Sequence, residues 1–489
     1  MKEKLLEYCE KIGIINYIIT MLSYEMDTTA PIKSYDYLIK SKSYFELEFY
    51  KLNTSDEYIE LLEGLIDSKE FKELSEEEKR FIIKSKEEYY KFKRIPKSFY
   101  EEFNTFRSNS LNKWVKAKEE NNFQIFKPYL IKGIEYTKKI YKYMYPEDNN
   151  TYDLLLDNYE KGINTFIVDK LFNDLKNGIK PIINSLEEEK STSLNIKYDS
   201  DTLKEISEFL LDYIGFDNTR GALGNYTHGY TTKLNDNDIR ITFPKQNDII
   251  DHISTIIHEG GHGIFEQNLS DTLKQYKTYN IDTLALHESQ SRFYENILGR
   301  NINFWIPIYD KVKKILNIDL DINEFVKCFN NAKCSLIRTK ADELTYCMHI
   351  IIRYEIEKAI FNDNIDLESI DKTWNNLYKE YLGVEVKNDS EGILQDMHWA
   401  SLDFGYFPTY ALGSIFDGMM LEYLDEKLNI DETLKNGNIK VITKYLNDNI
   451  HKYGSAYNVN EVALRLFNKP LEVNGLVRYF KKKYEKRYL

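Results

Sequence analysis

Cysteine is scarce: Cys9, Cys328, Cys334 and Cys347 are the only four in 489 residues. None forms a C-x-x-C pair, and so few in so long a chain build no disulfide framework. A reducing compartment, the cytoplasm, is expected. Proline (9) and glycine (21) are also few, so long stretches run without a breaker. No apolar run is long enough to span a membrane. The N-terminal MKEKLLEYCEKIGIINYIITML mixes glutamate with lysine and lacks a small-residue cleavage site. It reads as a buried amphipathic helix rather than a leader. Positive charge is in deficit too, with 66 Lys and Arg against 79 Asp and Glu, a net charge of −13. That excludes nucleic acid as the main partner. The basic run RYFKKKYEKRYL reads as a solvated helix end.

What is present is an ordinary globular balance, 42% hydrophobic and 30% charged residues. Apolar residues recur with helical spacing over most of the chain, clearly in SEEEKRFIIKSKEEYYKFKRI and LTYCMHIIIRYEIEKAIF. A mostly α protein is expected. The polar stretch SLEEEKSTSLNIKYDSDT is the nearest thing to a linker. One segment breaks the helical pattern. GNYTHGYTTKLNDNDIRITFP has two alternating runs around a turn-like LNDND and predicts a β-hairpin. His228 falls on its first arm, and Asp238, Arg240 and Thr242 share one face of its second.

Histidine is also rare, eight in all, yet two stand four apart in IIHEGGHGIFEQ. On a helix His258 and His262 project from one face, a turn apart, and can grip one metal ion. Glu259, one step round, can reach a water beside that ion without ligating it. This is the H-E-x-x-H arrangement of zinc peptidases. A catalytic zinc takes three protein ligands and keeps one position open. The third ligand is expected from LALHESQSRFYENILG, where His287 and Glu288 are adjacent and only one can face the ion. Glu288 gives a His-His-Glu site and is preferred.

The chain resembles the carboxypeptidase Taq family of zinc metallocarboxypeptidases at several further places. The family's D-x-R-x-T, H-E-S-Q, I-R-x-x-A-D and G-x-x-Q-D-x-H-W patterns stand here as DIRIT, HESQ, IRTKAD and GILQDMHW, followed by GYFPTYALGSIFDGMM. YEMDTTAP and IHKYGSAYNVNEVALRLFNKPL are weaker echoes towards the two ends. One departure stands out: the H-P-F pattern is His228-Gly229-Tyr230 here. The resemblance implies one metallocarboxypeptidase catalytic domain over 1–489, with an N-terminal helical part to about 190 and a zinc-site part from about 191 on. It implies a large helical, saddle-shaped fold with a deep groove and a small β-sheet beside the zinc helix. It implies one Zn2+ per chain with Co2+ as substitute, a homodimer, and release of single residues of broad preference from peptides with a free C-terminus.

The resemblance also carries roles. Glu259 is the general base. His398 and Tyr410 are donors for the developing oxyanion, with Tyr406 the alternative phenol. Arg338 is the first choice to pair with the substrate's terminal carboxylate and Arg240 the second; each has a structural alternative as a salt bridge, to Asp342 and Asp238. His228 lines the groove, and Asp396 orients His398. His252, His349 and His451 match no motif and are assigned to packing or surface. Two rival readings remain at this point: a zinc oligopeptidase that cuts internally, and a non-catalytic helical protein with structural zinc.

Overall fold

The computed structural model describes residues 1–186, 194, 198–244 and 248–484. Helices dominate, as the spacing predicts. Those that frame the site are α1 (Lys2–Thr28), α2 (Ser200–Ile214), α3 (Ile249–Gln267), α4 (Leu284–Arg292), α5 (Glu343–Phe361), α6 (Pro408–Leu428) and α7 (Asn474–Tyr484). Local chemistry sets their ends. Asp199, Asp248 and Asp342 cap α2, α3 and α5, each accepting backbone N–H bonds from the first turn. Gly215, at φ +100°, closes α2 in the left-handed region. Proline opens α6 at its first position. A single cluster of buried apolar side chains runs from Leu5 to Tyr484.

The expected hairpin is only part of a three-stranded sheet: β1 (Gly221–Tyr226), β2 (Tyr230–Asn235) and β3 (Asp238–Pro244), in the order β1-β3-β2. β2 and β3 form the antiparallel hairpin, while β1 lies parallel to β3 on its other side. His228 is therefore not on a strand arm but in the three-residue link between β1 and β2. The hairpin reading ran Gly224–Tyr226 into its first arm and left out Gly221–Leu223, because glycine and asparagine weaken strand propensity and β3 supplies the pairing from a distance. Ile239, Ile241 and Phe243 of β3 are buried, and the alternate residues Asp238 and Arg240 lie on the opposite face, towards α1.

The two ends also differ from expectation. In α1 the first half buries Leu5, Tyr8, Cys9 and Ile12, whereas the second half buries only Tyr24. The described part of the C-terminal basic run is solvated on one face only, where Arg478, Lys481 and Lys482 are exposed. Leu476, Phe480 and Tyr484 recur every four residues and pack inward. Tyr479, Lys483 and Tyr484 all converge on Glu343 of α5, and the Tyr479 hydroxyl donates to Asn296 O at 3.1 Å. Lysines between aromatics at helical spacing hid a docked face. Residues 485–489 of that run, and most of the expected linker, lie outside the described residues.

α4 is held between α3 and α6 by backbone-to-backbone approach. A Cβ built on Gly261 of α3 would stand 2.7 Å from Gln290 O and Ser291 Cα. One on Gly413 of α6 would stand 2.8 Å from Ala285 O and 3.0 Å from Ser289 N. These atoms are main chain and cannot swing aside. Gly261→Ala is therefore expected to cost about 1–3 kcal/mol of stability by overpacking and to pry His262 away from Glu288. A lowered thermal midpoint together with weaker metal retention checks this.

Candidate active site

α3 presents His258, Glu259 and His262; α4 presents Glu288. Donor atoms of His258, His262 and Glu288 all lie within 4.8 Å of one another. Their outer atoms are occupied in a way that aims the inner ones. His258 Nδ1 is 2.9 Å from Glu295 Oε2, which leaves Nε2 free. Arg292 Nε donates to Glu288 Oε1 at 2.6 Å, and the other oxygen, Oε2, is 3.5 Å from His262 Nε2. Glu295 sits in a π-helical turn, Phe293–Leu298, that continues α4; such turns recur at functional sites.

The electrostatics suit a cation. Burial would depress His258, but the Glu295 hydrogen bond and the charges of Glu288 and Glu295 carry it up to about 9. Burial and the adjacent His287 push His262 down to about 3, so its ring is neutral with a lone pair to give. Glu288, although buried, is held well below the usual carboxylate range by Arg292 and the two histidines. Two imidazoles and an ionised carboxylate, backed by further carboxylates, fit a divalent metal.

Glu259 is buried, and its carboxyl is raised chiefly by that burial. Its Oε2 accepts from the Thr231 hydroxyl of β2 at 2.8 Å. His287, the adjacent alternative ligand, turns away: its Nε2 is 3.1 Å from Glu266 Oε1, and its ring stacks on His262 at 4.5 Å.

The expected substrate-side groups gather on a second cluster. His398 Nε2 is 3.4 Å from the Tyr410 hydroxyl, and Tyr406 lies 5.3 Å from both rings. Burial, then the charge of Arg338, depresses His398 to about 3. Arg292, which holds Glu288, has its Cζ 5.7 Å from the Tyr410 ring, so Tyr410 faces the side that carries Glu288. Arg338 is buried, its Cζ 5.1 Å from the Tyr410 ring. Its ion-pair partner is not Asp342, which is spent on capping α5, but Asp396 at 2.9 Å. Asp396 makes no hydrogen bond to His398. It binds Arg338 through Oδ1 and Arg353 through Oδ2, and the two guanidiniums hold it far below its ordinary range despite burial. Arg240 pairs in parallel with Asp238 and packs on the Tyr24 ring, facing α1. His228 is exposed, beside the Tyr226 ring at 4.9 Å. His252, His349 and His451 are buried packing residues.

Sequence reasoning missed Arg292, Glu295, Thr231, Arg353 and Glu357. Two of these left a trace. Arg353 and Glu357, four apart on α5, are charges inside an apolar helix and are fully buried. Glu357 accepts from Trp399 Nε1 at 2.7 Å, Gly405 N at 2.8 Å and Tyr152 at 3.0 Å, tying down the segment that carries His398. Arg292 and Glu295 follow Glu288 at four and seven residues, the spacing of one helix face.

A family model described as Carboxypeptidase Taq (M32) metallopeptidase matches residues 4–484. The chain belongs to the M32 family. Carboxypeptidase 1 of Bacillus subtilis is 34% identical over 497 residues, covering 100% of this chain and 99% of that protein. The structure of Pyrococcus furiosus carboxypeptidase matches with a TM-score of 0.91 at 27% identity, over 99% of this chain and 98% of that one. An M32 carboxypeptidase from Deinococcus radiodurans, at 24% identity and 99% coverage of both chains, shares the fold with a TM-score of 0.94. The M32 chain is thus a metallocarboxypeptidase, a peptide hydrolase working at C-termini, and the non-catalytic reading is set aside. No helix among the described residues is long and apolar enough to cross a membrane.

Proposed function

We propose that this M32 enzyme is a zinc carboxypeptidase that removes single residues of broad preference from peptides with a free C-terminus. It binds one zinc per chain, replaceable by cobalt, through His258, His262 and Glu288. The same reading takes 1–489 as one catalytic unit acting in the cytoplasm as a homodimer, without membrane or nucleic-acid partners.

The observation that carries end-specificity is the charge balance at Asp396. One carboxylate serves two buried guanidiniums, Arg338 and Arg353, leaving one positive charge unmatched in that cluster. Arg338 uses three of its five N–H groups, through Nε and Nη2 on Asp396 and Nη1 on the Tyr346 hydroxyl. Two donors remain for a carboxylate. Arg240, by contrast, is matched one to one by Asp238, which supports Arg338 over it. His228, exposed beside the Gly229 link, fits a place at the groove wall.

A bound divalent ion supplies Lewis acidity to the scissile carbonyl and to a water. Glu259 takes the water's proton as the water attacks and hands it to the leaving amine. Tyr410 and His398, with Tyr406 beside them, donate to the carbonyl oxygen as its charge grows. Arg338 holds the terminal carboxylate so that the last peptide bond is the one in reach.

Charge-assisted hydrogen bonds contribute about 1.5–3 kcal/mol, so losing this pair costs on the order of tenfold to a hundredfold in kcat/KM. A C-terminally amidated peptide is expected to be a much poorer substrate than its free acid. Arg338→Ala slows the free acid and shrinks that preference. If Arg338→Ala discriminates as well as wild type, the clamp lies elsewhere, with Arg240 next to test. Internal cleavage that ignores amidation establishes the oligopeptidase reading instead.

A further inference from the structure

The first two residues of β2 point to opposite faces of the sheet, as strand geometry requires. Thr231 faces α3. Its hydroxyl lies within reach of two acceptors on that residue, Glu259 Oε2 at 2.8 Å and Glu259 O at 2.9 Å, and its single proton goes to the nearer, charged oxygen. Tyr230 faces α1. Its hydroxyl donates to Asp27 Oδ2 at 3.1 Å, close to the C-terminal end of α1, and its ring meets Tyr226 edge-on at 5.6 Å. Burial, and then the charge of Asp27, raise the Tyr226 phenol. One residue earlier, Gly229 lies so near α3 that a Cβ there would stand 2.4 Å from Thr255 Cγ2 and 3.1 Å from Glu259 Oε1. Both carboxylate oxygens of Glu259 therefore border this one short segment. Its far side is tied to an element more than two hundred residues away in sequence.

We propose that Thr231 is a positioning residue for Glu259, and that the Tyr230–Asp27 hydrogen bond is a latch that fixes Thr231 by tying the start of β2 to α1. The phenol is the feature that the phenylalanine of the H-P-F pattern lacks. The proposal rests on Glu259 being the base. A carboxylate about its terminal torsion is otherwise free to turn. With Oε2 held by a hydroxyl donor, Oε1 is the oxygen left to accept a proton.

The test uses the full-length enzyme loaded with zinc, with kcat, KM, metal content and thermal midpoint measured for each variant. Thr231→Val keeps the shape and removes the donor. It is expected to lower kcat about tenfold or more, the scale of one hydrogen bond to a charge, with KM and metal content near wild type. Thr231→Ser restores most of the loss, which a purely structural defect would not allow. Tyr230→Phe and Asp27→Ala are each expected to lower kcat about two- to fivefold, less than Thr231→Val because the latch reaches Glu259 only through Thr231, and the double variant to be no worse than either single. In metal-free protein, Tyr230→Phe raises amide exchange across residues 228–232 and the last turn of α1. A folded, metal-loaded Thr231→Val with wild-type kcat overturns the positioning role; if Val does not fold, Thr231→Ala against Thr231→Ser decides in its place. Additive effects of Tyr230→Phe and Asp27→Ala overturn the latch. Failure of the underlying reading is distinct: Glu259→Gln would itself turn over normally.

Discussion

Glu259→Gln is expected to lose about 10²–10⁴-fold or more in kcat, the usual weight of a general base, while holding its metal. The amide keeps the length and shape of the side chain and cannot accept the water's proton. The residues proposed to hold the metal are untouched, because Glu259 is held by β2, not by His258, His262 or Glu288. Metal content near wild type beside collapsed turnover is the expected pair of results. Ordinary turnover in a fully loaded variant removes Glu259 from the role of base.

His262→Ala strikes the metal itself. It leaves two protein ligands and deletes a ring that stacks on His287 and approaches Glu288 at 3.5 Å. Losing even an outer hydrogen-bond partner of a metal ligand costs 10–100-fold in affinity, so losing a ligand is expected to cost more than about a hundredfold. Metal analysis of the purified variant should find most sites empty, and a chelator should strip the remainder at concentrations that spare wild type. Folding should survive better than metal binding, because the helices are fixed by main-chain contacts and caps that do not pass through this ring. Full occupancy in His262→Ala means that the ligand set is wrong.

Much of this site was legible because its parts are local or motif-bound. His258, Glu259 and His262 share one helix turn, and capping and periodicity give that helix without tertiary information. Glu288 was harder, since adjacent His287 offered equal chemistry. The structure separates them by direction alone, Glu288 inward and His287 onto Glu266. What stayed hidden is pairing across distance. Asp342 was the natural partner for Arg338 four residues away, but a short acid beginning a helix is worth more as a cap, and Asp396 takes the arginine instead. β1 was half read for a similar reason: GNY passed as the start of the hairpin, and only pairing with β3, in parallel, makes Gly221–Tyr226 a strand of its own. The docking of α7 was masked by lysines that lie between the buried aromatics.

That docking has a consequence for how the enzyme matures. A ribosome makes His258, His262 and Glu288 well before it makes Tyr479. Until α7 is in place, Glu343 is without the Tyr479, Lys483 and Tyr484 groups that it gathers, and the Asn296 carbonyl is without the Tyr479 hydroxyl. Asn296 follows directly on Glu295, the carboxylate that orients His258. The ligands therefore exist in the nascent chain before the wall behind them does. Metal capture at full affinity is therefore expected to be a late event, timed by the arrival of a helix that contributes none of the proposed ligands.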